Sequence, residues 1–212
     1  MINVCLNCGE YREDKRVDIE KLLAYCPLCN HPHPFQFLPL FIVCGPSGAG
    51  KTTLTNALIG KMDEVVVMDG DVLYGAVAEQ INFWNVWLRM AKNINQSGRP
   101  LLLLSSGAIP PNLEPCPEYR YFSAVHYLAL VEQDSVLTER LKARPAWRQS
   151  GNEVFIQEHL RFNHWLKEQA SLPNPKIETL DTTVIDEETA VQHLKQWIRT
   201  KLELALNAST PQ

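Results

Sequence analysis

The stretch LFIVCGPSGAGKTTLTNALIG, residues 40–60, changes character twice. Leu40–Cys44 is an unbroken apolar run, which predicts a short strand buried on both faces, Cys44 included. A glycine-rich turn follows, then a helical pattern from about Lys51. Gly45, Gly50, Lys51 and Thr52 satisfy G-x-x-x-x-G-K-[ST] in the strand–turn–helix context that gives this motif its meaning. Glycines let the backbone wrap close to phosphate oxygens. The N–H groups of Ser47, Gly48, Ala49 and Gly50, with those at the helix start, then point at negative charge. Lys51 is expected to reach the β- and γ-phosphates of ATP or another nucleoside triphosphate. Thr52 is expected to place its hydroxyl on Mg2+, with Thr53 beside it.

The surrounding pattern alternates strand with helix, as α/β folds do. Further strands are expected at 65–68 (VVVM), 101–104 (LLLL), 123–130 (SAVHYLAL) and 176–180 (KIETL). Helices are expected over VLYGAVAEQI and FWNVWLRMAKNI, over 133–143 and 154–169, and after the N-cap Asp186 as far as about Ala205. The proline-rich segment 107–120 reads as a loop, 144–153 as a mobile loop, and NASTPQ as a frayed tail. Together these predict a three-layer α/β domain with a five-stranded parallel sheet, spanning residues 37–212.

The second strand runs into Asp69-Gly70-Asp71. Two carboxylates across a glycine at a strand end can face one cleft. One would hold Mg2+ through water and the other would take the proton of an attacking hydroxyl. Arg140, Lys142, Arg144 and Arg148 cluster where a helix passes into a loop. Guanidinium forks suit phosphate oxygens, and a loop can carry them over a nucleotide.

GPSGAGKTT, DGD and ERLKARPAWR, followed by a short strand and DTT (181–183), resemble the small phosphate-loop (P-loop) kinases. The relatives are gluconate, shikimate and adenylyl-sulfate kinases, chloramphenicol phosphotransferase and the nucleoside and nucleotide kinases. The resemblance covers about residues 38–205. It implies an ATP-dependent phosphotransferase in which Lys51, Asp69, Asp71, Arg140 and Arg144 serve catalysis. It implies that Asp69 is a Mg2+ partner through water, Asp71 the base, and Arg140 and Arg144 lid residues, Arg140 also touching the nucleotide. The loop starting at Asp181 and Thr182 would lie against adenine. RPAWR and FNHWL are also similar to stretches of an uncharacterised bacterial nucleoside kinase-like group. Where shikimate kinases carry a glycine triplet, this chain has SSGAIPP (105–111), so the acceptor pocket is not inherited from them. Trp84 and Trp87 either stack an acceptor's ring or pack in the core. Cys116 reads as incidental.

Upstream, Cys5-x2-Cys8 and Cys26-x2-Cys29 have the spacing of a four-thiolate metal site. Zinc suits four thiolates best, with rubredoxin-like iron as the alternative. A zinc ribbon over residues 1–36 is expected, with His31 and His33 in the linker. A closed site of this kind holds structure and does not catalyse.

The 212 residues carry a net charge of −4, and residues 1–36 hold four Lys/Arg against five acids. That disfavours a nucleic-acid partner. No leader and no membrane span is expected, and paired cysteines suit a reducing cytoplasm. The expected partner is a small-molecule phosphate acceptor, a nucleoside or nucleotide before a sugar-like metabolite or antibiotic. Alternatives are a polynucleotide end kinase gripping its strand with the ribbon, and a regulatory NTPase with a protein-binding ribbon. Oligomeric state is left open.

Overall fold

The computed structural model describes residues 3–74, 80–174 and 176–208. Five parallel strands form the main sheet: β4 (Leu40–Cys44), β5 (Val66–Asp69), β6 (Leu101–Leu104), β7 (Val125–Val131) and β8 (Ile177–Asp181). Their order is β5-β6-β4-β7-β8, with β4 at the centre. Alternation along β4 explains its unbroken apolar run. Leu40, Ile42 and Cys44 pack on one side with Trp87, Leu88 and Leu166. Phe41 and Val43 pack on the other with Leu54, Leu58, Leu194 and Ile198. The first side is covered by α2 (Gln80–Asn95) and α5 (Glu153–Ala170), the second by α1 (Lys51–Leu58) and α6 (Glu187–Ala208). These are the three layers expected. α4 (Asp134–Lys142) packs on α5 through Leu137, Leu141 and Ile156.

The N-terminal region forms a separate antiparallel sheet of three-residue strands, β1 (Arg16–Asp18), β2 (Leu23–Tyr25) and β3 (Pro32–Pro34). His33 therefore lies in a strand opposite Ala24, and not in a linker. The sheet docks on α2 and the 3₁₀ turn Pro117–Tyr121. Phe35 meets Tyr121 edge to face, with ring centroids 5.5 Å apart. Beneath the contact, Lys92 donates to Glu118 Oε2 at 2.5 Å and to Asn3 Oδ1 at 2.7 Å, all three fully or almost fully buried. Arg89 pairs with Glu13 across the same seam.

Three further expectations need correction. The segment 107–120 is not plain loop: α3 (Pro110–Leu113) and the 3₁₀ turn at Pro117 both begin on proline, whose fixed φ suits a first helical position. The segment 144–153 contains a 3₁₀ turn at Ala146–Arg148. The helix expected over VLYGAVAEQI begins instead as a 3₁₀ turn, Gly70–Leu73; residues 75–79 lie outside the described residues, as does the end of the tail, 209–212. Among the described residues no helix is long and apolar enough to cross a membrane.

Candidate active site and metal centre

The phosphate loop, Asp69 and Asp181 all lie at the carboxyl ends of the strands, where open α/β sheets bind ligands. The phosphate loop leaves β4, Asp69 ends β5, and Asp181 ends β8. Gly45 is required by a close approach: a Cβ there would lie 2.6 Å from the Leu130 carbonyl oxygen of β7. Lys51 begins α1 and folds back on the loop, donating to the carbonyls of Gly45 at 2.8 Å and Pro46 at 2.9 Å. Burial of its ammonium brings the Lys51 pKa down to about 8. Cys44, Asp71 and Asp69 act to raise it, while Arg144 acts with burial to lower it. Thr52 and Thr53 stand exposed on the first turn of α1.

The Asp69-Gly70-Asp71 turn is built by its own side chain. Asp69 Oδ1 accepts the Asp71 amide at 2.9 Å, capping the 3₁₀ turn. Its glycine is there for packing. A Cβ on Gly70 would fall 2.3 Å from the Ser105 Cβ at the end of β6. Asp71 is exposed. Arg144 is half-buried; burial and Arg148 hold its pKa below the usual range, against the attraction of Asp71. Asp69, Asp71 and Arg144 are thus all near enough to Lys51 to act on its charge.

A second cluster joins two of the expected site residues, Arg140 and Thr182, to Glu132, which was not anticipated. Arg140 pairs with Glu132, and its Nη2 donates to the Thr182 carbonyl at 3.2 Å. Thr182 Oγ1 donates to Glu132 Oε1 at 2.9 Å. Glu132 is fully buried, and burial pushes its carboxyl above the usual range, against its bonds to Thr182 and Arg140. A cleft of about 270 Å³ opens beside it, walled by Gly50, Thr53, Arg140, Thr182, Ile185 and Ala190. Arg140 is therefore fixed between α4 and the loop after β8. Asp181 caps the neighbouring turn, accepting the Thr183 amide at 2.9 Å.

His159 of α5 was also missed. Its Nδ1 accepts the Ser47 amide of the phosphate loop at 3.3 Å. Its signal lay in the helical spacing: His159 sits four residues before the buried Asn163, which donates to the Glu132 carbonyl at 2.8 Å. Trp87 is fully buried, which settles it as core. Trp84 is half-buried, packs against the same core, and would lie 2.9 Å from a Cβ on Gly107. Cys44 is buried, and burial pushes its thiol up to about 12. Cys116 is half-buried at the start of its 3₁₀ turn.

In the N-terminal region, at turns outside the three strands, the four Sγ atoms of Cys5, Cys8, Cys26 and Cys29 lie within 4.8 Å of one another. Two of the separations are 3.5 and 3.8 Å. A tetrahedron with Zn–S bonds of ~2.3 Å has edges of ~3.8 Å, so the donor set fits. Lys15 supports the fit. Its side chain is fully buried and its Nζ has no hydrogen-bond partner among the described residues. The cysteine thiolates oppose the downward push of burial on its pKa. A divalent ion on four thiolates leaves two negative charges, which a buried ammonium would offset.

No protein-family model and no curated protein matches the chain. Solved structures do, at the level of fold. A sugar kinase from Janibacter sp. HTCC2649 aligns with a TM-score of 0.59 at 15% identity, covering 77% of this chain and 95% of its own. A gluconokinase from Sinorhizobium meliloti 1021 gives 0.55 at 16% identity, covering 82% and 99%. The tunicamycin resistance protein of Deinococcus radiodurans gives 0.55 at 18% identity, covering 76% and 95%. The chain therefore has the P-loop kinase fold.

Proposed function

We propose that this chain is an ATP-dependent phosphotransferase that moves the γ-phosphate to the hydroxyl of a small acceptor, a nucleoside or nucleotide first among them. The observation that carries the reading is the phosphate loop with Lys51 leaving β4 at the same end of the sheet where β5 runs into Asp69-Gly70-Asp71. The similar fold of sugar kinases and a gluconokinase supports phosphoryl transfer as the reaction class.

In this reading the triphosphate lies along the loop amides of Ser47–Thr53, with its base in the cleft beside Thr182. Lys51 leaves the carbonyls of Gly45 and Pro46 for the β- and γ-oxygens. Thr52 and Asp69 would hold Mg2+, which supplies charge neutralisation across the β- and γ-phosphates. The acceptor hydroxyl gives its proton to an Asp71 oxygen as its own oxygen bonds to the γ-phosphorus. The bond from that phosphorus to the β-bridging oxygen breaks, and ADP leaves with the electron pair. Arg144 offsets the charge spread over the transferring group. Arg140 shapes the nucleotide cleft from its place against Glu132.

The four cysteines would hold zinc in a structural ribbon over residues 1–36, with the kinase domain over 37–212. Cysteines that hold a metal and are not joined as disulfides suit a reducing cytoplasm. The test is transfer of label from γ-labelled ATP to a panel of nucleosides, nucleotides, sugars, antibiotics and 5′-hydroxyl oligonucleotides. Turnover with a nucleoside or nucleotide is expected. Oligonucleotide labelling alone, or ATP hydrolysis indifferent to every acceptor, would contradict the reading.

A further inference from the structure

We propose that His159 is a positioning residue for the terminal phosphate, competing with it for the Ser47 amide and taking up a proton when the nucleotide binds. The inference rests on the nucleotide-binding reading above. Ser47 is the third residue of the loop, and its amide belongs to the set that such loops direct at phosphate oxygens. In the structure that amide donates to His159 Nδ1 at 3.3 Å. A ring nitrogen that accepts carries no proton, so the imidazole is neutral here and holds its proton on Nε2. One N–H cannot serve the imidazole and a phosphate oxygen well at once. Binding of a triphosphate therefore sets the two acceptors against each other.

Protonation resolves the conflict. An imidazolium cannot accept from Ser47, and its Nδ1–H becomes a donor facing the same space. The charged groups around His159 set when this happens. Lys51 from α1 and Arg144 from the turn after α4 oppose protonation, and Glu158 on α5 favours it. Burial opposes it as well, and Phe155 lies against the ring at 4.3 Å between centroids. A triphosphate reverses the local sign: its negative charge neutralises Lys51 and Arg144 and stabilises an imidazolium. His159 thus gains a proton as the phosphate takes the Ser47 amide. Its role is to orient the γ-phosphate and to couple nucleotide affinity to pH.

The experiment is titration calorimetry of MgATP with the full chain, in buffers of different ionisation enthalpy, between about pH 5.5 and 7.5, around the ordinary imidazole range. The wild type is expected to take up protons and to bind more tightly as pH falls, approaching tenfold per pH unit for one proton. His159→Gln keeps an acceptor for the Ser47 amide but cannot titrate. It is expected to bind MgATP with only the pH dependence that the nucleotide itself brings. The His159 ring resonance, followed by NMR in the wild type, needs no variant. Its titration midpoint is expected to rise on adding MgATP. Equal proton uptake by wild type and His159→Gln, or an unmoved midpoint with nucleotide bound, would overturn the proposal and leave the kinase reading standing. A wild type that binds no MgATP at any pH would overturn both.

Discussion

Lys51 donates to two backbone carbonyls, and in the proposed reading it leaves them, charged, for a phosphate. With its pKa brought down to about 8, nucleotide affinity is expected to weaken as pH rises through that value, by up to tenfold per unit. In Lys51→Arg that alkaline limb should vanish, because a guanidinium stays charged, even though binding is weaker overall. Dissociation constants measured from neutral pH to about pH 9.5 decide this, and a persistent limb in the variant would assign the titration elsewhere. Gly70 offers a second residue-scale check. Gly70→Ala drives a methyl into Ser105 and should cost about 1–3 kcal/mol in urea unfolding. Adding Ser105→Gly should restore most of the loss. The glycines and Lys51 were legible because a phosphate loop is specified by local residues at fixed offsets. The reason for Gly70 was not legible, since Ser105 comes near it only through β5–β6 pairing.

At the scale of elements, the central strands and long helices follow from apolar runs and helical spacing, and their ends moved by no more than three residues. The strands of the N-terminal sheet are three residues long, too short to show a period of their own. The proline-led turns at 110 and 117 were read as loop because proline count outweighed proline position. The polar face of α5 was hidden for a different reason. His159 and Asn163 find their partners on the phosphate loop and at the end of β7, far away in sequence. Long-range polar pairing also joins α2 to the N-terminal sheet. Lys92→Met leaves Glu118 buried without its main counter-charge, and is expected to destabilise the chain by about 3–5 kcal/mol. Lys92→Met with Glu118→Leu should recover much of that, since neither charge is then stranded. Urea midpoints of the single and double variants are the check; a double variant as unstable as the single would refute the pairing as the cause.

Across the whole molecule, one helix links the two sheets. α2 meets the N-terminal region through Arg89 and Lys92 and meets the core of the five-stranded sheet through Trp87 and Leu88. The N-terminal region therefore docks on a helix that packs against the same side of the sheet as Val66 and Met68 of β5. Lys15→Met should lower zinc affinity by about 10- to 100-fold in competition with a chromophoric chelator, as loss of an outer-shell partner does. Unchanged affinity would mean that Lys15 answers some other charge. The acceptor was beyond the reach of motifs, because its pocket is a matter of shape between segments distant in sequence. The chemistry at its mouth is testable without knowing more. The decisive measurement is single-turnover transfer from γ-labelled ATP to the best acceptor of the panel, for wild type and Asp71→Asn, with MgATP affinity measured alongside. We expect Asp71→Asn to bind MgATP as the wild type does and to transfer at least about 100-fold more slowly. Comparable transfer by Asp71→Asn would contradict the account.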